Sequence, residues 1–337
     1  MSALTIVMYH YVRDLARSRY PGIKGRTIEE FEGQLDYVQR HYTVTTTRAV
    51  AEASRGGRPL PPNACVLTFD DGFIDHYTVV VPRLLARGLS GSFYPPAVVA
   101  NGGRLLDVHK IHFILAATGE HLALADRVIE LIDARRRDID LPTPETLKSE
   151  HWRASPVGDR AETAFIKRVL QAALPLAIRS GIVQSLFEER VGVDEAVFAR
   201  ELYMDVGQLR SMVRSGMEIG GHGAEHIWLD QIAADEQRRE IAATCAFLAE
   251  VHGGVAVDWV MCYPYGAHDE TTRRLVADAG AALGLTTEKG IVRDLGAPLW
   301  LPRLDTNDLP LRGDAATVTW TIKALNLAGA APVAAAR

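Results

Sequence analysis

The chain has 337 residues, and its 47% hydrophobic and 23% charged residues are ordinary for a globular protein. This composition excludes a disordered, collagen-like or disulfide-scaffold chain. The formal net charge of −5 gives no global electrostatic reason to bind nucleic acid or an anionic membrane. Three cysteines, Cys65, Cys245 and Cys262, are too few for a disulfide framework or a four-thiolate zinc site, so we expect reduced thiols.

The N-terminal residues lack the cationic start and the apolar core of a signal peptide. No apolar run approaches the ~20 residues of a membrane-spanning helix. We therefore expect a cytoplasmic protein without a membrane span. The sequence carries no indication of the oligomeric state.

Short apolar runs recur along the chain, and each is followed by a helix-like pattern, which is typical of repeated strand-helix units and predicts an α/β fold. The predicted strands cover residues 4–9, 65–69, 91–94, 218–220, 259–263 and 282–285. Thr27 and Glu30 have the spacing of a capping box and predict an amphipathic helix that begins there. A second helix is predicted over 79–86, and a third from its N-cap Asp205 to Arg214.

The strand-helix rhythm stops between about 101 and 203, where segments such as 108–117 and 162–173 have helical spacing. We interpret this stretch as one helical insertion in a main domain of residues 1–310. Residues 311–337 are alanine-rich at their end and predict a C-terminal helix or tail.

Two adjacent carboxylates, Asp70 and Asp71, directly follow the predicted strand 65–69. Active sites of strand-helix repeats lie at the C-terminal ends of the strands, because several loops converge there. Neighbouring side chains of a strand point in different directions, so the two carboxylates can serve separate partners. The alternative is an ordinary acidic turn at Asp71 and Gly72.

Two imidazoles, His222 and His226, follow another apolar run and are surrounded by glycines. Histidines at this spacing can converge on one divalent cation, and an added carboxylate completes a set of three ligands with positions left for water and substrate. A lone histidine is usually structural, but this close pair favours a metal site.

A third cluster lies where the predicted strand 259–263 runs into the tight turn of Pro264, Tyr265 and Gly266. Such a turn can aim a backbone amide into a cleft as an oxyanion donor. A purely structural aromatic turn explains the same residues equally well.

Together the three clusters resemble the polysaccharide deacetylases of carbohydrate esterase family 4, which share the NodB homology domain. The resemblance covers roughly residues 4–305 apart from the insertion, and its specific motifs are residues 68–72 (Thr-Phe-Asp-Asp-Gly) and His222-x-x-x-His226. It implies a distorted, incomplete (β/α) barrel with a helical insertion. It also implies a metal-dependent hydrolase that removes an N-acyl group, first of all N-acetyl, from an amino sugar of a surface polysaccharide or its precursor.

The same resemblance implies the roles of individual residues. Asp70 is the expected general base, Asp71, His222 and His226 the expected metal ligands, and the backbone amide of Tyr265 the expected oxyanion donor. The implied cofactor is one divalent metal ion, zinc first, with cobalt or nickel as alternatives. The implied partner is an N-acylated sugar or oligosaccharide. The set is chemically coherent, because a metal lowers the pKa of its water while a free carboxylate removes the proton.

The family usually takes its general acid from a histidine near the C-terminal end of the domain. This chain departs from that pattern, because no histidine follows His268. His10, however, ends the first predicted strand and resembles the permuted subgroup that deacetylates poly-N-acetylglucosamine, in which the acid comes from the N-terminal strand. We therefore expect His10 to protonate the leaving nitrogen. The alternative is a structural histidine at the end of a strand.

A second departure is Cys262, which stands where many family members carry an arginine two residues before the motif proline. Arg303 ends another predicted strand and is the expected replacement, because its charge could keep Asp70 ionised and aligned. An ordinary surface salt bridge is the alternative. Asp305 could in turn orient a histidine.

Three other functions remain open at this point. Removal of a formyl group would use the same catalytic parts, and a catalytically silent member would bind glycans without cleaving them. The run from His222 to His226 also fits the His-x-x-Glu-His pattern of inverted zinc metallopeptidases. That chemistry needs a helix, which the glycines oppose.

In the insertion, four polar residues either reach the substrate or form a solvated helix face: Asp107, His109, Lys110 and His112.

Overall fold

The computed structural model describes residues 3–137, 139–155 and 158–327. The chain divides into two compact units, of which the second consists of residues 15–24 and 105–198 and the first of the remainder. The last ten residues of the predicted C-terminal helix or tail, 328–337, lie outside the described residues. Within the described ranges, none of the helices is long and apolar enough to cross a membrane.

The first unit is built on a parallel sheet. Its eight strands within the described residues are β1 (Leu4–Tyr9), β2 (Thr43–Val44), β3 (Ala64–Asp70), β4 (Ser92–Tyr94), β5 (Glu218–Ile219), β6 (Trp259–Cys262), β7 (Ala281–Lys289) and β8 (Leu301–Asp305). The strand order is β5-β4-β3-β1-β8-β7-β6, with β2 paired to β3. All of these pairings are parallel, so the C-terminal ends of the strands share one edge of the sheet.

The sheet curls until its two outer strands approach each other. Just after β5, Gly221 forms an isolated parallel bridge with Met261 of β6. The Gly221 amide donates to the Val260 carbonyl at 2.9 Å, and its carbonyl accepts from the Cys262 amide at 2.8 Å. A Cβ atom at Gly221 would overlap the Cγ2 methyl of Thr244, so the close approach needs glycine. The sheet is therefore an incomplete barrel surrounded by helices, and the predicted fold class is confirmed.

Helices follow most strands of the sheet, and further helices belong to the second unit. In chain order they are α1 (Ile28–His41), α2 (Thr47–Ser54), α3 (Val81–Ala86), α4 (Ala97–Ala100), α5 (Asp107–Ala117), α6 (His121–Arg135), α7 (Pro144–His151), α8 (Ala161–Arg168), α9 (Leu176–Arg190), α10 (Glu195–Leu202), α11 (Val206–Arg214), α12 (Ala234–His252), α13 (Glu270–Asp278) and α14 (Thr319–Leu327). Shorter 3-10 and π-helical turns join some of them.

The capping residues define two helix starts as predicted. Thr27 accepts from the Glu30 amide at 3.1 Å and the Glu30 carboxylate accepts from the Thr27 amide at 3.0 Å, which completes the capping box of α1. Asp205 caps α11 in the same way, and that helix ends at Arg214. The buried side of α1, with Phe31 and Leu35, belongs to the core between helices and sheet.

The structure differs from the predicted elements where sequence signals are weak. Strand β2 was not predicted, because two residues are too few to show an alternating pattern. Strand β7 continues past the predicted end at 285 to Lys289 through polar residues. The helix predicted over 79–86 is regular only from Val81, because residues His76–Val80 form a π-helical turn.

The second unit is helical and contains α5 to α9. Of the four polar residues in this insertion, His109 and Lys110 are buried, so the alternative of a solvated helix face is wrong for these two. The Lys110 ammonium lies 2.9 Å from the Glu195 carboxylate and 2.8 Å from the Gln184 side-chain oxygen. The buried charge is thus neutralised by partners within the unit.

Candidate active site

The two adjacent carboxylates diverge at the end of β3. Asp70 is its last residue, and Asp71 adopts the left-handed conformation with φ +74°. The following Gly72 has φ +71°, and a Cβ there would lie 2.7 Å from the Pro95 Cβ. Asp70 is 2% exposed and Asp71 5% exposed. The chain therefore turns sharply here and directs two buried carboxylates to different partners, which excludes the ordinary exposed turn.

Asp70 forms a two-pronged ion pair with Arg303. The two guanidinium nitrogens donate to the two carboxylate oxygens at 2.9 and 2.8 Å, and Arg303 Nε donates to the Thr286 carbonyl at 2.8 Å. Both side chains are buried, so the alternative of a surface salt bridge is wrong. Burial alone would raise the pKa of Asp70, but the Arg303 charge and its hydrogen bonds hold that pKa below its ordinary value.

The carboxylate of Asp71 lies against the two histidines. Its Oδ1 is 3.4 Å from His222 Nε2 and 3.5 Å from His226 Nε2. Donor atoms of a tetrahedral zinc site are about 3.3 Å apart, since Zn–N and Zn–O bonds measure about 2.0–2.1 Å. His222 Nδ1 donates to the Cys262 carbonyl at 2.7 Å, which leaves the lone pair on Nε2. The donor set and its spacing fit a divalent metal ion.

The segment that joins the two histidines is a loop. Gly223 has φ +71° and His226 has φ +53°, both in the left-handed region. The amides of Ala97 and Val98 at the start of α4 donate to the carbonyls of Gly223 and Ala224 at 3.1 and 3.0 Å. The two histidines converge through this loop and not through one helix face. The inverted metallopeptidase interpretation required a helix here and is wrong.

The turn after β6 lies beside this loop. Tyr265 has φ +58°, and its ring lies 4.6 Å from the His226 ring, edge to face. The Tyr265 ring also stacks on the Trp228 ring at 4.4 Å with an interplanar angle of 3°. No sequence pattern marks Trp228 as a site residue, since a lone tryptophan after a histidine motif has many structural explanations.

His10 follows β1 at the same edge of the sheet. Its Nε2 lies 4.0 Å from Asp70 Oδ2, and its side chain is 39% exposed. The His10 carbonyl accepts a 2.8 Å hydrogen bond from Nε2 of the buried His76. The structure thus brings His10 to the expected base, on a backbone that His76 fixes. No sequence pattern marks His76, because it is the π-helical turn that directs this residue toward His10.

Two further residues have different surroundings from those expected. The Asp305 carboxylate caps the 3-10 turn Thr306–Asp308 by accepting from the Asn307 amide at 2.8 Å. Cys262 is buried, and its sulfur belongs to a group of ligand-type atoms with Asp70 and His222 that lie within 4.8 Å of one another. Burial raises the pKa of the Cys262 thiol, so this side chain is neutral and cannot take over an arginine's role.

Part of the chain is similar in sequence to known deacetylases. Residues 186–284, which include both histidines and the Tyr265 turn, match the family model "Polysaccharide deacetylase". The poly-beta-1,6-N-acetyl-D-glucosamine N-deacetylase of Escherichia coli strain K12 is 36% identical over 103 residues. That match covers 30% of this chain and 14% of the relative's length.

Solved structures share the fold over nearly the whole chain. IcaB from Ammonifex degensii superposes with a TM-score of 0.53 at 18% identity and covers 98% of both chains. A de-N-acetylase from Aggregatibacter actinomycetemcomitans gives 0.55 at 16% identity over 97% of this chain and 100% of that one. The Streptococcus pyogenes deacetylase PplD gives 0.53 at 17% identity over 90% and 92%. These structures show the fold that the resemblance implies, and the family-model match over residues 186–284 confirms the resemblance to the polysaccharide deacetylases.

Proposed function

We propose that the chain is a metal-dependent deacetylase that hydrolyses the N-acetyl group of an amino sugar in a poly-N-acetylglucosamine-type polysaccharide or its precursor. The observation that carries this proposal is the convergence of Asp71, His222 and His226 beside the Asp70–Arg303 pair. One metal ion held by these three residues would supply electrophilic activation, and the separate carboxylate of Asp70 supplies a base; these are the two requirements of amide hydrolysis.

Asp70 acts as the general base. Arg303 binds both of its oxygens, which fixes the carboxylate plane and keeps the group ionised near neutral pH. Asp71, His222 and His226 would hold the metal. When bound, that ion would lower the pKa of a water molecule and polarise the acyl carbonyl.

His10 protonates the leaving nitrogen. Its side chain lies 4.0 Å from Asp70 and is partly exposed, as a group must be that meets a polymeric substrate. The backbone amide of Tyr265, in a turn of left-handed conformation, helps to hold the developing oxyanion. Acetate and a free amine are the products.

The substrate class rests on similarity. The Escherichia coli relative is a poly-beta-1,6-N-acetyl-D-glucosamine N-deacetylase, and the segment in common is 36% identical. An N-formyl group would use the same residues and is the second candidate. The cytoplasmic location and a role in the biosynthesis of a cell-surface polysaccharide stay predictions, as does zinc over cobalt or nickel.

The test measures the metal content of the purified protein and acetate release from N-acetylglucosamine oligomers, with chelator and after readdition of Zn²⁺ or Co²⁺. We expect about one metal ion per chain and acetate release that chelator abolishes and metal restores. The Asp70→Asn variant should lose turnover but keep its metal, because Asp70 is not one of the three ligands.

Each result discriminates between the candidate functions. Formate instead of acetate, measured with N-formylated sugars, would favour the deformylase. Stoichiometric metal without any acyl release would favour a silent glycan-binding protein. Loss of metal from Asp70→Asn would contradict the separation of base and ligands.

A further inference from the structure

The three-residue spacer between His222 and His226 contacts a carboxylate that the proposed reaction does not use. Glu240, on α12, accepts hydrogen bonds from the amides of Ala224 and Glu225 with the same oxygen, Oε2, at 3.0 Å each. Nothing in the sequence pattern marks this residue, because it lies in the middle of a long amphipathic helix.

The backbone carbonyls of the same spacer are also hydrogen-bonded. Its Gly223 and Ala224 carbonyls accept from the first amides of α4 at 3.1 and 3.0 Å. The spacer is thus held between two helices, with its carbonyls bonded to α4 and its amides bonded to Glu240 of α12. A carboxylate is the stronger of these partners, since hydrogen bonds to a charged acceptor are roughly twice as strong as neutral ones.

This support matters because the spacer has an unfavourable backbone. His226 has φ +53°, a conformation that costs a side-chain-bearing residue of order 1–3 kcal/mol and persists only where neighbours enforce it. In this conformation His226 Nε2 lies 3.5 Å from Asp71 Oδ1. The two amides that Glu240 fixes lie directly before that strained residue.

We infer that Glu240 is a positioning residue of the metal centre, which sets the affinity for a divalent metal ion by holding the backbone between the two histidine ligands. This inference rests on the proposed metal-dependent function. It assigns Glu240 no contact with the substrate or with the reacting atoms.

The test titrates Zn²⁺ into chelator-treated protein against a chromophoric competitor. Glu240→Ala should weaken metal binding roughly 10- to 100-fold, the usual effect of removing a group that orients metal ligands. Glu240→Gln should keep most of the affinity, because its amide oxygen can accept the same two hydrogen bonds. Asp235→Ala is the matched control, since it removes an 81% exposed carboxylate from the same helix.

A second readout separates positioning from a general loss of structure. At saturating metal the Glu240→Ala variant should recover nearly the wild-type kcat, since only the metal concentration needed for activity changes. If Glu240→Ala does not fold, Glu240→Asp replaces it. The Glu240→Asp variant should bind metal more weakly than Glu240→Gln does, because its shorter side chain reaches the two amides less well.

Three outcomes would overturn the inference. Equal metal affinities of wild type and a folded Glu240→Ala would show that the spacer needs no carboxylate. Equal losses in Glu240→Ala and Glu240→Gln would show that charge, and not backbone positioning, sets the affinity. Tighter metal binding by Glu240→Asp than by Glu240→Gln would show the same. A wild-type protein that binds no metal would instead remove the proposed function itself.

Discussion

The Asp70–Arg303 pair shows how one residue of the site depends on another that is distant in sequence. A buried carboxylate without a partner would take up a proton, since burial disfavours its charged form. Arg303 prevents this through two hydrogen bonds to the carboxylate, and its further hydrogen bond to the Thr286 carbonyl helps to fix the guanidinium plane. The base is therefore aligned by β8 rather than by the end of β6, where Cys262 stands.

Two substrates can distinguish a role of His10 as the general acid from a structural role at the end of β1. His10→Ala should lower kcat on an N-acetylated sugar roughly 10²- to 10⁴-fold, because the leaving amine then lacks its proton donor. An activated acetate ester such as p-nitrophenyl acetate should be hydrolysed at nearly the wild-type rate, because its leaving group needs little protonation. Both rates are measured at saturating metal.

The His10→Ala variant should leave the local backbone unchanged. His76 binds the His10 backbone carbonyl and not the ring, so truncation of the side chain leaves that anchor in place. His151→Ala, in the second unit, removes a partly exposed histidine and should change neither rate. Equal losses on amide and ester would show that the His10 ring supports the fold and does not act as the acid.

At the scale of elements, the sequence predicts the strands better than their arrangement. Strand β1 and helix α11 have the predicted bounds, because a continuous apolar run and a capping residue define them locally. The strand order, with β8 between β1 and β7, depends on contacts between distant segments that no local pattern encodes. The same reason explains why the motif residues of the site were predictable while His76 and Glu240 were not.

The close approach of the two edge strands depends on Gly221, so a larger residue at this position should destabilise the protein. Gly221→Ala should destabilise the protein by about 1–3 kcal/mol, the usual cost of forcing an atom into a packed site. The new Cβ overlaps the Thr244 methyl and lies 3.1 Å from the Trp259 ring, at the bridge between the edge strands. Unfolding by urea measures the change.

Two further variants test this explanation. Gly254→Ala is the control, because nothing lies within 4 Å of its new Cβ. Adding Thr244→Ser to Gly221→Ala removes the overlapping methyl but keeps the hydroxyl that donates to the Glu240 carbonyl. The double variant should recover part of the lost stability, and no recovery would contradict the steric explanation.

For the molecule as a whole, stability must depend on pH because titratable groups lie in its apolar core. His76 is fully buried among the rings of Phe69, Phe73 and Phe93, with centroids 5.6–5.7 Å away. Burial lowers the pKa of His76 to about 4 in the folded state. The unfolded chain keeps the ordinary pKa of about 6.5. Below pH 6.5 the unfolded state therefore binds a proton that the folded state does not.

The stability that neutral His76 contributes is thus complete above pH 6.5 and is lost as the pH falls toward 4. Between pH 7 and pH 5 this one group should lower the free energy of unfolding by about 2 kcal/mol. His76→Gln keeps a donor for the His10 carbonyl but cannot titrate, so its free energy of unfolding should fall correspondingly less over the same range. Urea unfolding with chelator present, so that metal release does not contribute, measures both proteins. Parallel pH curves would show that His76 is not a buried neutral histidine and that the acid sensitivity arises elsewhere.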